Sequence, residues 1–358
     1  MKKIKIAQIG AGHDHAADVI STLKLQRDIY ELIGYAAVDG DESVYDNNQR
    51  AYEDVKRMTV DEILNYPGLD AVCIETEDRR LTEYAIMAAE KGLHIQMDKP
   101  GSESDEDFDR LIDLVKEKNL VFHTGYMYRY NPAVLKLKED IKSGKLGEIY
   151  AVEAQMNCIH PVEKRKWLGN YPGGMLYYLG CHLIDLVYSI CGEPNEVIPL
   201  SMPIGTDGVT ADDFGMAVFK YKNGVSFVKS TAVEIGGFER RQLVVCGTKG
   251  TVELKPFEWL GGEKPGVFQP QTTGVREAFD ENWHAKGEYH DTAVHGRYDA
   301  MFRAFAAYVS GEKKNPYNYE YERDKDGNVI SGYPDEGNHL VDAVRYSLEK
   351  FWSRRGNN

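Results

Sequence analysis

The stretch Ile4–His15, which reads IKIAQIGAGHDH, decides the fold. Six residues rich in apolar side chains lead directly into the turn Gly10-Ala11-Gly12, and a helical pattern follows from about His15 to Leu25. A glycine-rich turn between a strand and a helix is typical of a dinucleotide-binding β-α-β unit. Gly10 permits the tight turn, and Gly12 lets the backbone approach a pyrophosphate at the helix N-terminus.

The turn continues into His13, Asp14 and His15, which we expect to lie against the cofactor. His15 stands where such turns usually carry a third glycine, so the helix packs less closely on the strand while the anion site is kept. An alternative role for Asp14 is capping, because an acidic side chain in the first turn accepts backbone N–H groups. A metal at His13 and His15 would need further ligands nearby, and no metal is expected.

Asp39 follows a second predicted strand, Ile33 to Val38. A carboxylate at this point accepts hydrogen bonds from the adenosine ribose hydroxyls and repels a 2′-phosphate. The sequence therefore favours NAD over NADP as the cofactor.

Short apolar runs alternate with amphipathic ones up to about Thr124, which predicts a Rossmann-type doubly wound α/β domain with a parallel sheet over residues 1–125. The further predicted strands are 71–74, 94–97 and 121–124. The further predicted helices are 60–64, 81–91 and 105–118.

Residues 126–358 form the second predicted domain, an α+β unit with a mostly antiparallel open sheet that binds substrate and mediates oligomerisation. Its predicted strands are 149–156, 214–221, 225–233, 242–246 and 251–254. Its predicted helices are 133–142, 298–310 and 337–354, and the last is expected to pack back on the first domain. Residues 255–297 are expected to be a long insertion, and its histidines, His284, His290 and His295, to lie at a surface or interface.

The length of 358 residues fits about two domains. A formal charge of −14, from 43 Lys and Arg against 57 Asp and Glu, argues against nucleic acid as a partner. No apolar run approaches the roughly 20 residues of a membrane span, and a signal-peptide core is not evident, so we expect a cytoplasmic protein with no membrane partner. The five cysteines are widely spaced and predict buried thiols rather than disulfides.

Two further segments carry a family resemblance. Residues 71–76, Gly92, His94 and the sequence Met97-Asp98-Lys99-Pro100 together resemble the Gfo/Idh/MocA oxidoreductases, whose pattern ends in Glu-Lys-Pro. The resemblance implies that Lys99 is the active-site lysine and that Pro100, often a cis-proline, shapes the nicotinamide pocket. A lysine there can hydrogen-bond the hydroxyl being oxidised and stabilise negative charge that develops on its oxygen.

The second segment, Gly173 to Asp185, resembles the family's glycine-rich helix and matches His182 to the family's histidine. Histidine is suited to accept the substrate's hydroxyl proton because its pKa lies near operating pH. Tyr178 replaces the family's aspartate, and on one continuous helix it lies a turn from His182 on the same face. We expect Tyr178 to orient the substrate or His182.

Other positions are assigned by the same resemblance. Thr76 and Glu77 are expected at the cofactor, where Glu75 and Glu77 can contact ribose hydroxyls, although acids near a helix start are an equal interpretation of both. The segment around Tyr126, Arg129 and Asn131 resembles the family's inter-domain link. Together with Lys99, Tyr178 and His182, the residues expected to bind substrate are Tyr126, Arg129, Asn131, Arg165, Lys166 and Trp167.

The resemblance implies an NAD-dependent oxidoreductase that moves hydride between a sugar, sugar derivative or cyclitol hydroxyl and the nicotinamide, in a cleft between the domains. Tyr178 in place of aspartate leaves two alternatives open. One is an NAD-recycling enzyme that cleaves glycosides through transient oxidation, elimination and re-reduction. The other is a catalytically impaired regulator that binds NAD or sugar. A homodimer or homotetramer is expected through the open sheet.

Overall fold

The computed structural model describes residues 2–102, 104–261 and 267–315. Within these residues the chain forms two units: one contains residues 2–127, 267–270 and 296–315, and the other contains residues 128–261 and 271–295. The predicted helix 337–354 lies outside the described residues. Among the described residues, no helix combines the length and apolar character that crossing a bilayer requires.

The first unit is built on a parallel sheet whose strands lie in the order β2-β1-β3-β4-β5. This confirms the predicted doubly wound domain. The strands are β1 (Ile4–Ile9), β2 (Tyr30–Ala36), β3 (Ala71–Ile74), β4 (His94–Met97) and β5 (Phe122–Thr124). Every residue of β3 is buried, as expected of a strand with helices on both faces.

The second unit carries an eight-stranded, mostly antiparallel sheet in the order β15-β14-β11-β10-β6-β9-β8-β7, and a short sheet of β12, β13 and β16 accompanies it. Strands β6 and β9 pair in parallel at the centre of the larger sheet, and their neighbours pair antiparallel. The strands are β6 (Ile149–Asn157), β7 (Glu196–Met202), β8 (Phe214–Tyr221), β9 (Gly224–Thr231), β10 (Gln242–Gly247), β11 (Thr251–Leu254), β12 (Trp259–Leu260), β13 (Pro270–Thr272), β14 (Gly274–Ala278), β15 (Glu288–Asp291) and β16 (His295–Gly296).

Among the described residues, the helices follow the predicted ones closely, with two additions, α2 in the first unit and α7 in the second. They are α1 (Ala16–Leu25), α2 (Glu42–Asn48), α3 (Val60–Leu64), α4 (Leu81–Glu90), α5 (Asp105–Glu117), α6 (Pro132–Lys142), α7 (Val162–Trp167), α8 (Gly174–Tyr178), α9 (Cys181–Cys191) and α10 (Asp299–Val309). Four short 3-10 turns lie among them at 49–52, 78–80, 127–130 and 168–170.

Helix α10 completes the first unit although it lies far along the chain. Its Phe302 and Phe305 are fully buried. The Tyr30 hydroxyl donates to the Phe302 carbonyl at 2.5 Å, and Phe305 stacks on His123 with ring centres 5.9 Å apart. The α10 side chains therefore supply part of the apolar core beside the parallel sheet.

Strand β7 was missed by the sequence analysis because Pro199 interrupts its apolar run. Proline cannot donate to a strand ladder and so argues against a central strand. In the structure β7 is the edge strand beside β8, where Pro199 lies opposite Ala217. An edge position leaves one side of the strand without a ladder, so the missing N–H is tolerated.

Candidate functional site

The glycine turn that follows β1 depends on a close backbone approach. Gly10 has a φ of +94°, and a Cβ there would lie 2.3 Å from the Thr76 nitrogen. The amides of Gly12 and His13 both donate to the Glu75 carbonyl, at 3.1 and 3.0 Å. The turn is thus held against the end of β3, and only glycine fits at residue 10.

Asp41 is a site residue that the sequence analysis missed. Its carboxylate is 1% exposed and accepts the backbone N–H groups of Ala11 at 2.7 Å and Val38 at 2.8 Å. A Cβ on Gly12 would lie 2.2 Å from Asp41 Oδ1. The signal was present in the Asp-Gly-Asp sequence of residues 39–41, where a second carboxylate follows the expected one.

Asp39 itself is exposed, three residues beyond the end of β2. Its carbonyl accepts a hydrogen bond from Arg80 Nη1 at 2.7 Å, and the Arg80 guanidinium also binds Glu83 and the Tyr84 hydroxyl. The exposed carboxylate of Asp39 is open to ligand hydroxyls, as the ribose role requires. Its binding to ribose stays a prediction.

Lys99 comes two residues after β4 and is buried, with 2% of its surface exposed. The peptide bond between Lys99 and Pro100 is cis, as the resemblance implied. Asp98 Oδ1 accepts the Lys99 N–H at 2.6 Å, and the Tyr126 hydroxyl donates to the Pro100 carbonyl at 3.4 Å. The backbone around the lysine is therefore fixed from both sides.

His13 and His15 connect the glycine turn to this segment. His13 Nδ1 accepts the His15 N–H at 3.1 Å, so in the neutral ring Nε2 carries the proton and donates to the Lys99 carbonyl at 3.1 Å. His15 Nδ1 lies 3.0 Å from Asp98 Oδ2. Asp98 adds a third side chain that could ligate a metal beside the two histidines, because donor atoms of His13, His15 and Asp98 all lie within 4.8 Å of one another. The expectation of no metal stays a prediction.

Three buried carboxyl groups, those of Glu75, Asp78 and Asp98, surround His13 at 3.5 to 3.8 Å. Burial and the charge of Asp98 raise the pKa of Glu75 well above its usual range. Although burial acts in the opposite sense, attraction to the imidazoles of His13 and His15 and the hydrogen bond from His15 hold the pKa of Asp98 well below its usual range. Burial lowers the pKa of His15 to about 4. At neutral pH His15 is therefore neutral, whereas Asp98 is held in its charged form and the charged form of Glu75 is disfavoured.

Thr76 and Glu77 begin the 3-10 turn that follows β3. Thr76 is fully buried, and its hydroxyl donates to the Glu77 carbonyl at 3.1 Å. The Glu77 carboxylate accepts the Arg79 N–H at 3.2 Å and the Arg79 Nε–H at 2.9 Å. Glu77 therefore caps a helix start, the alternative weighed against cofactor binding. Asp14 is exposed at the start of α1.

In the second unit, the expectation that Tyr178 and His182 share one continuous helix is wrong. Helix α8 ends at Tyr178, α9 begins at Cys181, and Gly180 caps α9. A Cβ on Gly180 would lie 2.6 Å from the Leu176 carbonyl oxygen, so the glycine allows the two helices to meet at a break. His182 is 1% exposed, and its ring lies edge-on to Tyr128 with centres 4.9 Å apart.

Tyr178 belongs to an aromatic group with Trp167 and His160, at ring-centre distances of 5.4 and 6.1 Å. The Lys164 ammonium lies 3.6 Å from the centre of the Trp167 ring and 4.6 Å from that of Tyr178. Two aromatic faces around one cation form a cation–π arrangement. Sequence analysis selected Lys166 from this run, but Lys166 is exposed and Lys164 is the lysine placed on the aromatic rings.

The structure gives protein partners to the two arginines predicted to bind substrate. Arg129 pairs with Asp185 through two hydrogen bonds, one of them 2.7 Å from Nε to Oδ2. Arg165 Nε donates to Asp213 at 2.8 Å, and its Nη1 donates to Asp207 at 2.7 Å.

Asn131 caps α6 by accepting the Ala133 N–H at 2.8 Å, and its amide donates to Thr273 at 2.9 Å. Arg129, Arg165 and Asn131, which were predicted to bind substrate, thus each have a partner within the protein. Their contact with substrate stays a prediction.

Comparison with known proteins places both units in one family. Residues 4–126 match the model of the oxidoreductase family NAD-binding Rossmann fold, and residues 134–253 match the GFO/IDH/MocA C-terminal domain. The chain belongs to the Gfo/Idh/MocA oxidoreductase family. It is 34% identical over 257 residues, 68% of this chain, to the uncharacterized oxidoreductase YhhX of Escherichia coli, 73% of which is covered.

Two further Gfo/Idh/MocA relatives carry named activities. Levoglucosan dehydrogenase of Pseudarthrobacter phenanthrenivorans is 28% identical over 53% of this chain and 56% of its own length, so the match spans little more than half of that relative. The solved structure of the WlbA dehydrogenase from Bordetella pertussis, in complex with NADH and UDP-GlcNAcA, superposes with a TM-score of 0.70 at 17% identity. The match covers 100% of this chain and 98% of the WlbA chain, and at that identity it supports the fold alone.

Proposed function

We propose that this Gfo/Idh/MocA protein is an NAD-dependent dehydrogenase that transfers hydride between a hydroxyl-bearing carbon of a sugar, sugar derivative or cyclitol and the nicotinamide. The observation that carries the proposal is the placement of Lys99. It is a buried lysine at the carboxyl end of a parallel strand, and its backbone is bound to the glycine turn through His13. Ligands of doubly wound sheets bind at that edge.

The first unit fits a dinucleotide on the chemistry of its own residues. Gly10 and Gly12 keep the turn after β1 free of side chains, and Asp39 exposes a carboxylate beyond β2. Pro100, Thr76, Asp14 and the histidines follow the same edge of the sheet. When bound, NAD supplies the hydride acceptor.

The proposed steps belong to two residues. The Lys99 ammonium donates a hydrogen bond to the substrate oxygen and stabilises the negative charge that grows on it as hydride departs. His182 accepts the hydroxyl proton at a ring nitrogen. Tyr178 and Trp167 cover C–H faces of the substrate, and Lys166 binds its hydroxyl or carboxylate groups. Sugars and cyclitols combine such faces with hydroxyl groups, which supports this substrate class, as does the relative named levoglucosan dehydrogenase.

The test uses the purified full chain with NAD or NADP and a panel of sugars, polyols, sugar acids and aryl glycosides. Reduced nicotinamide and released aglycone are followed in the same reaction. Net formation of reduced nicotinamide with a sugar or polyol supports the proposal. The absence of turnover across the panel, with NAD binding retained, contradicts it and favours the regulator.

Lys99→Ala should lower kcat by about 10²–10³-fold with little change in the Kd for NAD, because the lysine acts on charge that develops during the reaction. Lys91→Ala, which removes an exposed lysine bonded to Asn65, is the matched control and should retain wild-type turnover. Wild-type turnover in Lys99→Ala contradicts the assignment.

His182→Asn should lower kcat by about 10²–10⁴-fold and remove the acidic limb of the kcat pH profile, because a general base has been lost. An unchanged acidic limb contradicts the assigned role even where kcat falls.

A second candidate is the NAD-recycling cleavage of glycosides. The observation that favours it is the replacement of the family's aspartate by Tyr178, whose ring lies 4.6 Å from the Lys164 ammonium. A tyrosine hydroxyl can act as an acid or a base in place of the carboxylate. Release of aglycone without net reduction of NAD in the assay above identifies this activity.

The proposed preference for NAD rests on Asp39, because its carboxylate repels a 2′-phosphate. Asp39→Asn should therefore lower the ratio of kcat/KM with NAD to that with NADP. Asp46→Asn, which alters another acid in α2, is the control. An unchanged ratio in Asp39→Asn contradicts the preference.

We also propose that the protein forms a homodimer or homotetramer through the open face of its larger sheet. The pairing registers place Leu200, Met216, Val218, Phe227 and Val225 on that face. Leu200 and Val225 are 45% and 50% exposed. Light scattering during size-exclusion chromatography measures the mass, and a monomer across the micromolar range contradicts the proposal.

A further inference from the structure

The polar group between the glycine turn and Lys99 contains more metal-ligating atoms than the proposed dehydrogenase needs. We propose that His13, His15 and Asp98, with Glu75 as the fourth ligand, bind one Zn²⁺ ion. All four residues belong to the first unit, and the inference does not require the proposed dehydrogenase activity, although His13 and His15 also lie where the cofactor is proposed to bind.

The distances around Asp98 Oδ2 carry the proposal. Asp98 Oδ2 lies 3.0 Å from His15 Nδ1 and 3.5 Å from His13 Nδ1, and Glu75 Oε2 lies 3.8 Å from His13 Nδ1. A tetrahedral Zn²⁺ site with bonds of about 2.0 Å has neighbouring ligand atoms about 3.3 Å apart. These three separations lie near that value, and the donor atoms of His13, His15 and Asp98 all lie within 4.8 Å of one another, so side-chain rotation that brings Glu75 onto this group would complete the site.

Glu75 supplies a second, independent observation. Its side chain is 1% exposed, and Oε2 accepts no hydrogen bond from the residues that the structure describes. A buried carboxyl oxygen without a donor costs free energy, and the cost rises when a second carboxylate lies nearby. A divalent cation removes both penalties because it satisfies Glu75 and offsets the charge of Asp98.

The donor set favours zinc among the divalent metals. Imidazole nitrogens and carboxylate oxygens suit Zn²⁺, whereas Mg²⁺ and Ca²⁺ prefer oxygen ligands alone. Four protein ligands make a closed site, which is typical of a structural rather than a catalytic ion. Zinc binding replaces two existing contacts. His13 Nδ1 loses the hydrogen bond from the His15 N–H, and His15 Nδ1 loses the proton that it shares with Asp98.

The ligands come from three strand ends that are adjacent in the parallel sheet. His13 and His15 follow β1, Glu75 directly follows β3, and Asp98 directly follows β4. Asp98 and His13 also hold the N–H and the carbonyl of Lys99. An ion here ties the glycine turn to the segment that carries Lys99, and the fold gains a crosslink between three crossovers.

The experiment uses the untagged full chain, freed of metal with a chelator. Zinc affinity is measured by competition with a chromophoric chelator, and zinc content is measured by mass spectrometry after removal of excess ion. Wild type should bind one Zn²⁺ per chain. His15→Gln and Asp98→Asn should each weaken binding by at least about 100-fold, since loss of an outer partner alone costs 10–100-fold.

His290→Gln is the matched control because His290 is an exposed histidine on β15 and contributes no proposed ligand. It should bind zinc as wild type does. Equal affinity in all three variants overturns the proposal, as does the absence of stoichiometric binding in wild type.

Circular dichroism establishes which variants are folded. A second measurement needs no variant. Co²⁺ bound in place of Zn²⁺ should give the intense visible absorption of a tetrahedral ion, and the weak spectrum of a six-coordinate ion overturns the assignment of four protein ligands. Both readouts report on metal alone, so their failure leaves the dehydrogenase proposal standing, and a failure of the activity assays leaves the metal site standing.

Discussion

The carboxylate of Asp41 accepts the backbone N–H of Ala11 at 2.7 Å, inside the turn that defines the Rossmann unit. The same oxygen accepts the Val38 N–H at 2.8 Å. One side chain thus joins the loop after β1 to the loop after β2, and it satisfies two amides that burial would otherwise leave without acceptors.

Asp41→Ala should destabilise the protein by about 1–3 kcal/mol and weaken NAD binding, because two backbone donors lose their acceptor. Asp41→Asn keeps an acceptor oxygen and should be affected less. Chemical denaturation and NAD titration measure both effects. Equal losses in the two variants would show that the negative charge, and not the acceptor, is what the turn requires.

A comparison of Gly10 with Gly40 separates the cost of a positive φ from the cost of steric crowding around an added Cβ. Their φ values are +94° and +96°, but a Cβ on Gly10 would lie 2.3 Å from the Thr76 nitrogen, whereas a Cβ on Gly40 has nothing within 4 Å. Gly40→Ala should cost about 1–2 kcal/mol from backbone strain alone. Gly10→Ala should cost more and abolish NAD binding. Similar melting temperatures for the two variants would contradict the close approach.

Asp18 predicts a pH-dependent change in stability. Burial raises the pKa of Asp18 to about 6, although Gln269 donates a hydrogen bond to it. The folded state therefore holds the proton more tightly than the unfolded state, and stability is lost as the pH rises from about 4 to 6.

Asp18→Asn should accordingly be more stable than wild type by roughly 1–3 kcal/mol above pH 7, and the gain should disappear near pH 4. Thermal unfolding across this range is the measurement. Asp28→Asn is the control, because Asp28 forms an exposed pair with Arg303 and should change stability by less than about 1 kcal/mol. A gain in Asp18→Asn that does not depend on pH would rule out titration as its source.

The buried pair of Arg129 and Asp185 tests a structural role against a substrate role. Their side chains are 8% and 1% exposed, so Arg129→Met or Asp185→Asn alone should destabilise by about 3–5 kcal/mol. Arg129→Met combined with Asp185→Leu should recover much of this loss, because no unpaired charge remains. If the double variant recovers stability and the wild-type KM, Arg129 is not a substrate ligand.

The sequence predicted the parts of the fold that repeat a local pattern. The bounds of the strands Ala71–Ile74 and His94–Met97 were predicted as the structure has them, because a short apolar run between amphipathic helices is typical of a buried parallel strand. Strand β7 was missed because Pro199 is an edge-strand residue, and no local pattern shows which strand lies at an edge.

Site residues that belong to a local sequence motif could be predicted, whereas site residues that are positioned by a tertiary contact could not. Gly10, Lys99 and Pro100 stand in segments that resemble the family. Asp41 and Glu75 act through contacts with the glycine turn. The sequence offered them as acidic residues near strand ends, but those contacts depend on the tertiary fold. The break between Tyr178 and His182 depends on the fit of Gly180 against Leu176, a packing detail that periodicity does not record.

Helix α10 belongs to the core of the Rossmann unit, but it is synthesised long after the strands of that unit. Tyr30 donates to Phe302, and His123 stacks on Phe305, so residues separated by nearly the whole described chain share one core. On the ribosome, the glycine turn and all five parallel strands emerge before the helix that covers them. The core of the N-terminal unit therefore cannot be completed before residues 299–309 are made, and a chain truncated before residue 299 lacks the Phe302 and Phe305 contacts of Tyr30 and His123.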